Sequence, residues 1–180
     1  DAESLARLKR GGAIVLGKTV TTEFACMDPS ETKNPWNPAH TPGGSSSGSA
    51  VSVATRMCPV ALGSQTVGSV LRPSSYNGVV GLKPTYGRVS RYGVIPVSWS
   101  LDTVGWMTRT VEDAALLLQV TAGPDPRDPV AARFPAGDYL SNLESAPPPR
   151  IGLIRPFFME ESDSETQTNV LASVQKLTGA

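Results

Sequence analysis

Residues 41–73, from Thr41 to Pro73, read TPGGSSSGSAVSVATRMCPVALGSQTVGSVLRP. Glycine and serine dominate both ends, and the middle, Pro59 to Leu62, reads as a short buried strand. Glycines without a Cβ reach torsions closed to other residues, so Gly-rich turns let backbone N–H groups crowd toward one point. Two such turns flanking one strand bring two serines together over a nest of amide donors. That arrangement suits acyl transfer. A flexible Gly/Ser linker would not enclose a helix-forming SAVSVA run and a VALG strand, nor end in Arg72–Pro73 before another apolar strand.

Working outward, residues 1–10 read as a helix with Asp1 as its cap, Leu5 and Leu8 on one face, and Gly11–Gly12 as its stop. Ala13 to Leu16 read as a buried strand. A proline-rich loop follows, then a helix over Ser46–Thr55. Val79–Leu82 read as a strand ended by Lys83–Pro84, and residues 86–98 as short strands and loops. Thr110 with Glu112 and Asp113 marks the start of a helix whose apolar face is Val111, Ala114, Ala115 and Leu118, ended by Gly123–Pro124. Residues 123–149 are rich in Pro, Asp and Ala and read as a semi-rigid connector. Ile151–Ile154 open a new strand, and a helix from Ser164 carries Val170, Val174 and Leu177 on one face. These elements imply a core over residues 1–142, a Pro-rich connector over 143–149, and over 150–180 the start of a further β-α unit. The C-terminus, Thr178–Gly179–Ala180, reads as cut before a partner strand.

Composition narrows the function. The chain has 180 residues with 39% apolar content, enough for a core, and no segment long enough to span a membrane. Sixteen basic and sixteen acidic residues cancel, which points to neither nucleic acid nor an anionic membrane. Cys26 and Cys58 are the only cysteines and lack metal spacing, which fits a reduced cytoplasm. His40, the only histidine, sits among prolines and reads as a loop residue, so no multi-histidine metal site is expected. Gly12–Thr19 (GAIVLGKT) satisfies a P-loop pattern, but its interior is an apolar strand-like run with no helix behind it. Gly44–Gly48 (GSSSG) satisfies a nucleophile-elbow pattern, which requires a histidine after the serine; His40 precedes it.

Four segments in order, GKTVTTEF, NPWNPAHTPGGSSSGSA, ALGSQTVGSVLRPSSYNGVVGLKPTYGRVSRYG and SLDTVGWMTRTVEDAALL, are similar to those of the amidase signature family. The resemblance implies an α/β fold, a mixed twisted β-sheet sandwiched by α-helices, here a partial domain. It implies an amidase cleaving a small carboxamide to carboxylate and ammonia or amine through a Ser–cis-Ser–Lys triad, without metal or organic cofactor. Ser69 falls on the nucleophile, Ser45 on the bridging serine, and Thr66, Val67, Gly68 and Ser69 on the oxyanion donors. The family's catalytic lysine lies upstream of residue 1, and Lys18 matches a different lysine. Val67 stands where most members have glycine, and would be strained if that position needs positive φ. Ser47 replaces a glycine, and Gln65 a common aspartate.

Gln65 with Arg72 resembles a malonamidase-like branch in which the arginine holds a substrate carboxylate in bidentate fashion; pairing with a structural acid is the alternative for Arg72. YGRVSRYG is similar instead to the A subunit of the tRNA-dependent amidotransferase. The expected partners are a small-molecule amide and, on the protein side, a second copy or a complementing chain. An inactive fragment needing such a chain is the remaining alternative.

Overall fold

The structure, a computed structural model, describes residues 1–26 and 28–178. The chain divides into two units, Asp1–Ser145 and Ala146–Ala180. Gly179 and Ala180, which close the expected break in the last β-α unit, lie outside the described residues.

The first unit is built on a three-stranded sheet, ordered β1 (Val60–Gln65), β3 (Thr103–Thr108), β2 (Val80–Leu82). Both ladders are antiparallel to the central β3, which is buried along its whole length. Alternation along the strands sends neighbouring side chains to opposite faces. Val104 and Trp106 of β3, flanked by Leu62 and Leu82, pack with Leu8 of α1 (Glu3–Arg10) and with Ala114 and Leu117 of α4 (Val111–Thr121). Met107 and Ala61 point the other way, onto Ala50 and Val53 of α2 (Ser47–Ala54) and Val70. Helices thus cover both faces of an α/β sheet.

The second face tolerates only small groups. A Cβ on Gly63 would lie 2.6 Å from Ser46 Oγ, and one on Gly81 would lie 2.6 Å from Ser74 Cβ. The helix that starts beside Gly63 is itself made of small residues, SGSAVSVA, and its buried hydroxyls are bonded. Ser47 Oγ donates to the Gly43 carbonyl at 2.8 Å, Ser49 Oγ to that of Leu62 at 2.8 Å, and Ser52 Oγ to that of Ser49 at 2.9 Å. Small side chains bring the backbones together, and no hydroxyl among these three is left without a partner.

Several expectations are corrected. Ala13–Leu16 form no strand and are exposed, because that backbone joins no ladder among the described residues; an apolar run is a strand only if a neighbour supplies its hydrogen bonds. Ile151–Ile154 likewise form none. Residues 86–98 hold one isolated bridge, Val89 to Ala122. The elements not anticipated include β3 itself and α3 (Leu71–Asn77), which tolerates Pro73 because a first-turn N–H has no intrahelical acceptor to lose. Asp1 does not cap α1; Ala2 is the cap residue, and the Asp1 carboxylate accepts from Lys9 Nζ at 3.0 Å. Thr110 does cap α4, its hydroxyl accepting from the Asp113 N–H at 3.1 Å.

Residues 123–128 are part of the first unit rather than a connector, since Asp125 and Asp128 are buried. Arg127 reaches Glu3 of α1 and, through Nε at 2.9 Å, Asp125. Glu3 also accepts from Arg7 Nε at 3.0 Å and Arg10 Nη2 at 2.8 Å. The Arg7 guanidinium first, then those of Arg127 and Arg10, hold the Glu3 carboxyl down at about 2, against an ordinary 4.5.

The second unit contains α6 (Ser164–Thr178), after the short α5 (Asn142–Ser145) that ends the first. Asp163 caps α6, accepting the Thr166 N–H at 2.7 Å. Gln167 Nε2 closes the preceding turn onto the Met159 carbonyl at 2.7 Å. Phe157 and Phe158 meet edge to face, centroids 5.4 Å apart.

Two tests follow from this packing. Gly63→Ala must push Ser46 away from β1 and should cost about 1–3 kcal/mol in urea unfolding. Because the Glu3 pKa is depressed in the folded state, the stability its partners supply is fully present above about pH 4.5 and is lost as pH falls toward about 2. The stability gap between the wild-type protein and Glu3→Gln, measured by urea midpoint, should therefore be constant above that window and close within it.

Candidate active site

Three stretches of chain meet at the C-terminal end of β1: residues 19–22, the Gly43–Ser49 turn into α2, and the Gln65–Arg72 turn into α3. Gly43, at φ +74, makes the first turn possible, and a Cβ there would press on Pro73 Cα at 3.0 Å. The peptide between Gly44 and Ser45 is cis. Residues 19–22 lie against this turn through backbone bonds from the Gly48 N–H to the Val20 carbonyl, 2.9 Å, and from the Thr22 N–H to the Ser45 carbonyl, 3.0 Å. Thr19 and Ser49 share a hydroxyl–hydroxyl bond of 2.7 Å. A Cβ on Gly44 would lie 2.7 Å from Thr22 Cγ2, so this glycine, like Gly63, marks a close approach.

The two Gly-Ser turns are joined directly. The Ser46 N–H donates to the Ser69 carbonyl at 3.2 Å, which puts the residue after Ser45 in contact with Ser69 itself. Ser45 is buried and Ser69 half-buried. Among the described residues neither side-chain hydroxyl has a hydrogen-bond partner. Ser45 also borders a cavity of about 660 Å³, whose wall includes Ser46, Ser64, Val94 and Ile95. Ser69 is not on that wall.

Thr66, Val67, Gly68 and Ser69 occupy the bend between β1 and α3. Their backbone N–H groups have no acceptor among the described residues, whereas the next two, of Val70 and Leu71, are both taken by Gln65 Oε1 at 2.9 Å. Positive φ occurs at four non-glycine residues among those described, Phe24, Ala25, Arg56 and Phe157. Val67 is not one of them, so its side chain is unstrained there and projects into solvent. Ser47, in place of a glycine, uses its hydroxyl to tie the turn at Gly43.

Among the described residues Arg72 pairs with no acid. Its Nε and Nη2 donate to the Gly44 carbonyl at 3.2 and 2.9 Å, gripping the peptide that leads into Ser45. Lys18 is exposed and His40 is an exposed loop residue. Among the described residues no lysine bonds to Ser45 or Ser69: Lys9 Nζ pairs with Asp1, and Lys83 Nζ donates to the Pro84 carbonyl.

Sequence reading overlooked Asp102. This buried carboxylate accepts from Thr66 Oγ1 through one oxygen and from the Val97 and Ser98 N–H groups, at 2.7 and 2.9 Å, through the other. It fastens the 97–101 loop to the bend that carries Ser69. The signal was present in SLD, an acid immediately before an apolar strand, but its partner Thr66 is 36 residues away in sequence.

Comparison with known proteins identifies the family. The amidase family model matches residues 1–180, and the chain belongs to that family. It is 48% identical over 179 residues to the A subunit of glutamyl-tRNA(Gln) amidotransferase from Synechococcus sp. (strain WH7803), a match covering 95% of this chain and 37% of that protein. The crystal structure of an amidase family protein from Bacillus anthracis str. Ames superposes with a TM-score of 0.88 at 36% identity, over 99% of this chain and 38% of the other. Native peptide amidase from Stenotrophomonas maltophilia superposes with a TM-score of 0.75 at 46% identity, over 79% and 32% respectively. The chain therefore spans a little over a third of the length of the curated relative it matches.

Asp102→Ala would leave the Val97 and Ser98 N–H groups without their acceptor, and should destabilise the protein by about 2–3 kcal/mol. Asp102→Asn keeps one carbonyl oxygen for those donors, and its thermal midpoint should fall between the two.

Proposed function

We propose that these residues are the serine-bearing part of an amide hydrolase in which Ser69 is the nucleophile and Ser45 relays its proton. The observation that carries this is the bond between the Ser46 N–H and the Ser69 carbonyl, which holds the two Gly-Ser turns against each other with both hydroxyls free. A serine hydroxyl needs a base to become a useful nucleophile. Ser45 donates and accepts through one oxygen, so it takes the Ser69 proton while passing its own to a lysine carried outside these 180 residues. Ser69 Oγ then bonds to the amide carbon. The N–H groups of Thr66, Val67, Gly68 and Ser69 receive the oxyanion, a contribution that is often the largest in acyl transfer. Collapse returns a proton to the leaving nitrogen, releases ammonia or an amine, and leaves an acyl-serine for water to cleave.

The substrate class is a small carboxamide, and no cofactor enters the scheme. Arg72 serves this scheme through the Gly44 carbonyl, with a substrate carboxylate as the second role proposed for its remaining donors. The unpaired state of Cys26 and Cys58 favours a cytoplasmic setting, and among the described residues no helix is long and apolar enough to cross a membrane.

A second reading is favoured by the 48% identity to the A subunit of an amidotransferase: the released ammonia would be passed to a glutamyl-tRNA bound by partner proteins. Its mark would be glutamine hydrolysis that depends on those partners, whereas a free-standing amidase needs none. In either case the isolated 180-residue chain, without its lysine, should be inert until a complementing chain supplies one.

In the intact protein, Ser69→Ala should lower amide turnover by about 10³-fold or more, and Ser45→Ala by about 10²–10⁴-fold, with KM for the amide little changed. Unaltered turnover in Ser69→Ala, measured by ammonia release, would sink the assignment.

A further inference from the structure

We propose that Gln65 is a positioning residue that sets the direction of the oxyanion donors and the placement of Ser69; this rests on the reading of Ser69 as nucleophile. Gln65 is the last residue of β1 and is buried. Its amide uses both ends on the bend that follows. Oε1 accepts from the Val70 and Leu71 N–H groups, each at 2.9 Å, and Nε2 donates to the Val67 carbonyl at 2.9 Å. One side chain thus pins the bend on both sides of Gly68 and Ser69.

The bond to Val67 matters most. The Val67 carbonyl and the Gly68 N–H belong to one planar peptide, and in a trans peptide they point in opposite directions. Holding the carbonyl against Gln65 therefore turns the Gly68 N–H away from the Gln65 amide. The two bonds at Oε1 do complementary work. They consume the donors of Val70 and Leu71, so the N–H groups left free in this bend are those of residues 66–69. Anchoring Val70 also fixes the backbone on the C-terminal side of Ser69. The Ser69 carbonyl is meanwhile held by the Ser46 N–H, so the nucleophile is clamped from both neighbours.

A primary amide performs both tasks at this position, whereas an ionised carboxylate accepts but cannot donate. A carboxylate here would keep the Val70 and Leu71 bonds and repel the Val67 carbonyl. When protonated it regains one donor. This gives the proposal a signature that a purely structural role would not produce: activity in Gln65→Glu should return as the new carboxyl takes up a proton.

The test uses the intact protein that carries these residues and the rate at which a fluorophosphonate labels Ser69, read by intact mass and peptide mapping. In that reaction Ser69 Oγ bonds to phosphorus, the P–F bond breaks, fluoride leaves, and the serine proton passes to the base. The phosphoryl oxygen occupies the oxyanion position. Gln65→Glu should lower the maximal labelling rate about 100-fold at mildly alkaline pH, with the half-saturating probe concentration changed less than about twofold. The ratio of its rate to that of the wild-type protein should climb as pH falls into the carboxylic-acid range. Gln65→Met, of similar length and uncharged, should show the loss at every pH without that recovery, and serves alone if Gln65→Glu does not fold. Equal maximal rates in a folded variant and the wild-type protein, or a ratio flat with pH for Gln65→Glu, would overturn the role assigned to Gln65. Failure of the wild-type protein to label at Ser69, or labelling that survives Ser69→Ala, would instead overturn the nucleophile reading and the inference with it.

Discussion

The close approach of α2 to β1 at Gly63 is the constraint on which the candidate site depends. Ser46, at the start of α2, fits there because position 63 has no side chain. The same contact sets Ser46 beside the end of the strand, where its N–H reaches the Ser69 carbonyl. A larger residue at either position would separate the two turns, and packed interiors give little room to absorb such a shift. The small, hydroxyl-rich composition of residues 43–52 is thus a packing requirement as well as a chemical one. Each buried hydroxyl of α2 finds a carbonyl, so the close contact costs no unsatisfied polar group.

The polar side chains around this contact act as fasteners. Gln65 ties the bend to itself, Asp102 ties it to the 97–101 loop, and Arg72 ties the start of α3 to the Gly44 carbonyl. Each joins backbone groups that lie in irregular structure and would otherwise need water or a neighbour. Loops placed in this way can hold reactive groups in a fixed geometry while the sheet and helices supply the stability. Farther off, the cluster of Glu3, Arg7, Arg127 and Asp125 does comparable work between α1 and residues 123–128. It turns a stretch that composition marks as a connector into part of the first unit.

Much of the fold is legible because local signals and tertiary packing agree. The helix ended by Gly11, the helix of small residues after Ser46, and the Thr110-capped α4 were all readable from caps and periodicity. Disagreement arises where an element depends on partners that pattern does not name. Ala13–Leu16 has the composition of a strand and no ladder among the described residues. Conversely, β3 has glycine at its centre and no polar alternation, yet it is the strand on which both ladders are built. Its burial on both faces removes the alternation that would have announced it. α3 contains Pro73, which in a first turn removes no helical bond.

By itself the sequence determined the residue types at the two Gly-Ser turns, their order along the chain, and membership of the family those motifs carry. These are properties of composition and spacing, and they survive without knowledge of any contact. Only the tertiary structure decided what each polar side chain does. The Gln65 amide bonds both ways along its own bend, Arg72 donates to the Gly44 carbonyl, and Asp102, which drew no notice in the sequence, joins two loops. The physical reason is that hydrogen bonding is directional and short-ranged. Partners such as Thr66 and Asp102 are 36 residues apart in the chain, and only the antiparallel pairing of β1 with β3, which sets Gln65 opposite Thr103, brings them within reach.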